Sequence, residues 1–133
     1  MRLTSGQVLG GFLIGAGIAH FAVPGVFDPL VPEALPGSQR AWTYGSGVVE
    51  LAVGASVLTP ATRRKGALAA AALFVAVYPG NIKQAVDADT GKEKAISYAR
   101  LPLQVPLVVW ALKVSRREVS TAAGRRESPD RAR

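Results

Sequence analysis

Apolar residues fill this chain in four long blocks that lack a polar stripe. Gly6 to Val23 holds no Asp, Glu, Lys or Arg, and Ala41 to Thr59 holds one charge, Glu50. Gly66 to Ile82 holds none and extends past Lys83 to Val86, while Ala95 to Val114 holds Arg100 and the terminal Lys113. Each block is close to the ~20 residues that a helix rising ~1.5 Å per residue needs to cross hydrocarbon. A helix on a water-soluble domain keeps polar residues along one side. Here Phe12, Leu13, Ile14 and Ile18 go round the first block, and Leu73, Phe74, Val75 and Val77 round the third. Such helices need a core or a bilayer, and a chain of 133 residues leaves no material to bury four of them. The pattern therefore predicts an all-α integral membrane four-helix bundle, with spans at about 6–23, 41–59, 66–86 and 95–114. Arg2 ahead of an apolar run also suits a cleaved leader, but the run is long and no small-x-small site precedes the prolines, so it is read as a span.

The connections differ in kind. Pro24 to Arg40 interleaves prolines 24, 29, 32 and 36 with Val26, Phe27, Leu30, Val31 and Leu35. That density of proline excludes a regular transmembrane helix, while the apolar residues still need burial. An interfacial or partly re-entrant segment is predicted. Pro60 to Lys65 reads as a tight turn and Asp87 to Lys94 as a polar loop turning at Thr90-Gly91. Residues 115–133 are polar and charged, and are predicted to be a disordered basic tail. Pro79-Gly80 should kink the third helix, and Pro102 and Pro106 the fourth.

Composition narrows the chemistry. Cysteine is absent, which excludes disulfides, thiolate metal sites and thiol redox chemistry. One His and one Met exclude a multi-His metal site and argue against a haem with two side-chain ligands of these types. Charged residues are 19% of the chain and the formal charge is +7. If the spans alternate, Arg2, Arg63, Arg64, Lys65, Lys113, Arg116, Arg117, Arg125, Arg126, Arg131 and Arg133 share one side. Arg40, Lys83, Lys92 and Lys94 lie on the other. The positive-inside rule then predicts a multi-pass protein of the cell (inner) membrane with both termini cytoplasmic. This asymmetry accounts for the basic excess without nucleic acid. The predicted counter-charge of the tail is anionic lipid headgroups.

The ionisable and amide groups inside the spans carry the functional signal, because each is costly in hydrocarbon and tends to face the bundle interior. Counted from the cytoplasmic ends, His20, Asn81 and Arg100 lie at a depth of roughly 21–23 Å, and Glu50 and Gln104 at roughly 14–15 Å. Tyr44, Tyr78 and Tyr98 fall in or beside the same band. Four helices thus contribute to one level in the outer half. If Arg100 or His20 reaches Glu50 the pair can be charged, with Asn81 and Gln104 completing the hydrogen bonds. Kinks at that level leave room for a small ligand or water. Interhelical glue is the competing reading of the same residues, and snorkelling outward that of Arg100. Gly6, Gly10, Gly11 and Gly15 form two small-xxx-small pairs, and Gly47 and Gly54 flank Glu50, so close helix contacts are expected within one chain or between copies. Trp42 and Trp110 read as interface anchors.

Taken in order, these motifs resemble the DoxX-like family of small membrane proteins. Gly17, His20 and Phe21 followed by Pro24, Phe27, Pro29, Pro32 and Pro36 are similar to its first helix and loop. Ser46-Gly47-Val48-Val49-Glu50-Leu51-Ala52-Val53-Gly54 resembles its second helix, and Pro60 with Arg63-Arg64 its cytoplasmic turn. Tyr78-Pro79-Gly80-Asn81-Ile82 and Arg100-Leu101-Pro102-Leu103-Gln104 are similar to its third and fourth helices, with Gly80 departing from the family's alanine. The resemblance spans about Gly6 to Val114. It implies a four-helix membrane bundle whose site residues are His20, Glu50, Asn81, Arg100 and Gln104, with no catalytic role attached. The family takes its name from a subunit of an archaeal thiosulfate:quinone oxidoreductase; other relatives belong to oxidative-stress complexes or look like receptor-assembly factors.

Two function classes follow. One is a small-molecule or quinone-associated subunit of a membrane redox system, in which Glu50 and His20 handle protons or bind a carbonyl oxygen and Arg100 steers an anion. The chain shows no cofactor site and no self-contained catalytic motif, so a partner or a bound quinone would carry the electrons. The other is a non-enzymatic assembly protein that binds partner helices, or further copies of itself, through its glycine-rich face.

Overall fold

The computed structural model describes residues 2–127, and the described part is all-helical. Six helices follow in order: α1 (Ser5–Ala22), α2 (Pro24–Phe27), α3 (Gln39–Leu58), α4 (Arg63–Ala76), α5 (Tyr78–Asp87) and α6 (Gly91–Glu127). Three stretches, Ser5–Ala22, Arg63–Asp87 and Gly91–Arg126, are long and apolar enough to cross a membrane. α3 matches them in length but carries Arg40, Thr43 and Glu50. Phe12, Ile18, Val48, Val75, Leu103 and Val105 are among many large apolar side chains left on the outside. An apolar exterior of this extent marks a surface made for something other than water.

Local signals start and stop these helices. Thr4 and Gln7 form a reciprocal capping box at the start of α1: the Thr4 hydroxyl accepts from the Gln7 N–H at 3.2 Å, and Gln7 Oε1 accepts from the Thr4 N–H at 2.9 Å. α1 ends before Pro24, and Ser38 caps α3 through the Ala41 N–H. Thr90 and Glu93 build a second capping box. It starts α6 at Gly91, inside the stretch read from sequence as a polar loop.

Backbones rather than side chains set the closest packing. On α1 and α3, Gly10 faces Gly54 and Gly17 faces Gly47, so the helices run antiparallel. A Cβ on any of the four would come within 3.0–3.2 Å of the opposing glycine's carbonyl oxygen. Gly66 packs equally tightly on Ser56 and Val57. Leu9, Leu13, Val57, Ala67, Ala70, Ala71, Phe74, Ala111 and Val114 form the apolar core. These residues come from the first half of α1, the end of α3, the length of α4 and the middle of α6. The core therefore occupies the half of the bundle nearest the Arg63 turn. Arg63 closes that end: Nε donates to the Val57 carbonyl at 2.8 Å, Nη2 to the Leu58 carbonyl at 3.1 Å, and Nη1 lies 3.5 Å from Glu118. A cation at the last carbonyls of α3 complements the negative end of its dipole.

The segment from Pro24 to Ser38 avoids a spanning helix, as its prolines require, and lies as a cap across the opposite end. It contains α2, a 3₁₀ turn at Asp28–Leu30 and a left-handed Gly37 at φ 87°. Gln39 Nε2 donates to the Val31 carbonyl at 2.9 Å, Trp42 Nε1 to the Pro36 carbonyl at 2.7 Å, and Lys83 Nζ to the Pro29 carbonyl at 3.1 Å. Trp42 therefore ties the cap to α3, and Trp110 links α6 to the Ser5 hydroxyl at 2.8 Å.

One expectation about the tail is corrected. Residues 115–127, read as disordered, continue α6 as helix; residues 128–133 of that predicted tail lie outside the described residues. Extending an existing helix needs no new nucleus, and Ser115 is buried while Glu118 meets Arg63. Pro102 and Pro106 lie inside α6. The expected interruption at Pro79 does occur: α4 ends at Ala76, and α5 restarts with Pro79 in its first turn, where its missing N–H costs nothing.

Candidate functional site

The half of the bundle away from the Arg63 turn is polar inside. His20, Thr43, Asn81, Ser97 and Gln104 are all buried there. The glycine contacts explain one meeting. His20 follows Gly17 by three residues and Glu50 follows Gly47 by three, so the close Gly17–Gly47 approach carries both side chains into the α1–α3 seam. His20 Nδ1 lies 3.1 Å from Glu50 Oε2 and 2.9 Å from the Ala16 carbonyl oxygen. A carbonyl only accepts, so Nδ1 carries the hydrogen and donates it to Ala16. Glu50 Oε2 is then close to the imidazole yet has no hydrogen-bond partner, although it is buried. The Phe27 ring stacks on the imidazole, with centroids 3.8 Å apart.

Asp28 holds that lid in place, and the sequence reading missed it. Its Oδ2 accepts from Arg40 Nε at 2.9 Å and pairs with Nη2 at 2.8 Å, while Oδ1 accepts from the Thr43 hydroxyl at 2.7 Å. The Arg40 hydrogen bond, followed by that from Thr43, holds the Asp28 carboxyl below its ordinary range. Phe27 is the next residue back, so anchoring Asp28 to the first turns of α3 positions Phe27 over His20. An acid twelve residues ahead of Arg40 was the available signal. A proline-rich loop of unknown path gives no reason to pair them.

The remaining predicted residues do not join Glu50. Gln104 reaches between α4 and α5: its Nε2 donates to the Phe74 carbonyl near the end of α4, and its Oε1 accepts from Asn81 Nδ2 of α5 at 3.1 Å. Arg100 Nη1 donates to Gln84 Oε1 at 3.1 Å. Among the described residues it forms no ion pair with Glu50, so of the two candidate partners the structure selects His20. Tyr44 stacks on Phe21 at 5.2 Å beneath the Arg40 guanidinium, 5.7 Å from its ring. Tyr78 and Tyr98 face outward. The predicted residues thus fall into three separate pairs: His20–Glu50, Asn81–Gln104 and Arg100–Gln84.

On α3 an open, mainly apolar groove of about 520 Å³ is lined by Pro36, Trp42, Gly45, Ser46, Val49 and Leu73, without His20 or Glu50. Ser46 lies one turn before Glu50 and Val49 immediately before it. A carboxyl group accepts a hydrogen bond when ionised and donates one when protonated. The imidazole beside it commits its Nδ1 hydrogen to the Ala16 carbonyl, so the carboxyl is the group that exchanges a proton. The arrangement can hold a hydroxyl or carbonyl oxygen and exchange a proton with it. Among the described residues no three His, Asp or Glu side chains gather as a metal site.

Residues 9–115 match the family model described as Domain of unknown function (DUF8561), and the chain belongs to that family. No curated protein and no solved structure matches it.

Proposed function

We propose that this DUF8561 member is a four-helix integral protein of the cell (inner) membrane, with α1, α3, α4–α5 and α6 crossing and both termini cytoplasmic. Its His20–Glu50 pair seats the polar head of a small apolar molecule, and a quinone is the fitting class. The protein then acts as a quinone-associated subunit of a membrane redox system, with electrons carried by a partner. The observation that supports this most is the unpartnered Glu50 Oε2. A buried acceptor left without a donor costs roughly 1–3 kcal/mol, a cost that the hydroxyl of the reduced, quinol form would remove, while the oxidised carbonyl would accept from the protonated carboxyl. The groove at Val49 offers apolar walls for the rest of such a molecule, and the resemblance to DoxX-like proteins favours the same class. Solvent extraction and mass spectrometry of gently purified protein test it. A stoichiometric quinone, lost in Glu50→Gln while helicity is kept, is expected. A ligand-free protein that retains a second polypeptide would replace this reading with the assembly role.

That second role has its own observation. A Cβ at Gly11 or Gly15 would meet nothing within 4 Å, so this small-residue face of α1 is free for another helix. Gly11→Leu with Gly15→Leu should then abolish partner capture, and undiminished capture would exclude that face.

A further inference from the structure

We propose that the end of the bundle holding the Arg63 turn is a collar for anionic phospholipid headgroups, built by Arg64 and Lys65 of α4 and Lys113, Arg116 and Arg117 of α6. The proposal rests on the reading that the chain spans a bilayer. The Arg63–Glu118 contact sets the first turn of α4 beside α6 at the level of Glu118. From Glu118, Lys113 is five residues back and Arg116 and Arg117 only two and one. All the α6 members therefore lie within roughly 8 Å along the axis. The five side chains belong to exposed residues, and among the described residues none of them forms an ion pair. Glu118, the acid nearest to them in sequence, is already held by Arg63. Exposed Leu58, Leu68 and Val109 border the collar, so it edges the apolar exterior, where acyl chains give way to headgroups. A free phosphate would meet flexible, solvated cations with no enclosing pocket. Lipid phosphates are instead presented at that level in bulk, and each basic residue near such a surface contributes to attraction.

The helical course of α6 sharpens the assignment. Arg125 and Arg126 lie roughly 12–14 Å further along the axis than Arg116 and Arg117. That exceeds the Debye length of about 8–10 Å in ordinary salt, so they add little.

Reconstituted full-length protein tests this through tryptophan quenching by brominated phosphatidylglycerol and brominated phosphatidylcholine. Preference for phosphatidylglycerol is expected. It should shrink in about 1 M salt, an arm that needs no variant. Charge removal at Arg64→Gln, Lys65→Gln, Lys113→Gln, Arg116→Gln and Arg117→Gln should lower it by up to about fivefold per residue. Arg125→Gln with Arg126→Gln should leave it unchanged, and excess glycerol phosphate should not displace it. Equal quenching by the two lipids would overturn the collar while leaving the spanning reading intact. Displacement by glycerol phosphate, or loss of preference only in the Arg125–Arg126 variant, would also overturn it. Absence of quenching by either lipid would overturn both.

Discussion

Gly47→Ala probes the contact on which the site depends. The added Cβ would lie 2.7 Å from Phe21 Cε2, 2.8 Å from His20 Cβ and 3.2 Å from the Gly17 carbonyl oxygen. Carbon pairs rest at about 3.5–4.0 Å, so α1 and α3 must separate by roughly 0.7 Å or more at this level. The Phe21 ring edge can swing away. His20 Cβ is fixed to the helix and cannot. Overpacking of this kind costs about 1–3 kcal/mol. Alanine returns about 1 kcal/mol of helix propensity, so comparison with wild type alone would blur the effect. Gly11→Ala is the proper reference, because it gains the same propensity on the same pair of helices and its Cβ meets nothing within 4 Å. The difference between the two variants isolates the overpacking. Even 1–2 kcal/mol of it changes the folded-to-unfolded ratio by about five- to thirtyfold. Dodecyl-sulfate titration followed by circular dichroism measures that ratio. Gly47→Ala should unfold at lower detergent fraction than Gly11→Ala and should retain less of any bound small molecule. Equal or greater stability of Gly47→Ala would refute the claim that the Gly17–Gly47 approach holds the seam.

Other outcomes follow from the same geometry. The Asp28 carboxyl sits below its ordinary 3.8, so its hold on the cap is complete above that pH and is lost as pH falls through the lowered value; Trp42 emission should report a loosening below about pH 3.8 that Asp28→Asn shows already at neutral pH. Gln104→Leu leaves Asn81 Nδ2 and the Phe74 carbonyl without their partner and should cost about 0.6–1.7 kcal/mol in detergent unfolding. Retention of small molecules should survive that change, and its loss would place Gln104 in the site. A reporter enzyme active only in the cytoplasm should work when fused after Arg133, and activity only of a periplasm-dependent reporter would invert the proposed orientation.

The linear pattern was sufficient for the apolar helical blocks, but it stopped α6 short at both ends. Long uncharged blocks allow little besides helix, prolines from 24 to 36 stop one, and 3.6-residue geometry converts position into depth. Glu50, His20, Asn81, Arg100 and Gln104 could therefore be expected in one band from their numbers alone. Height says nothing about azimuth. Which residues meet around the bundle depends on helix rotation and neighbour choice, and only packing decides those. The Gly10–Gly54 and Gly17–Gly47 contacts rotate α1 and α3 so that His20 reaches Glu50, while the interruption at Val77 leaves the Phe74 carbonyl for Gln104. Arg100 consequently meets Gln84. The Asp28–Arg40–Thr43 anchor was hidden for a related reason: the path of a proline-rich segment is set by what it can lie on, and that surface exists only once the helices have assembled.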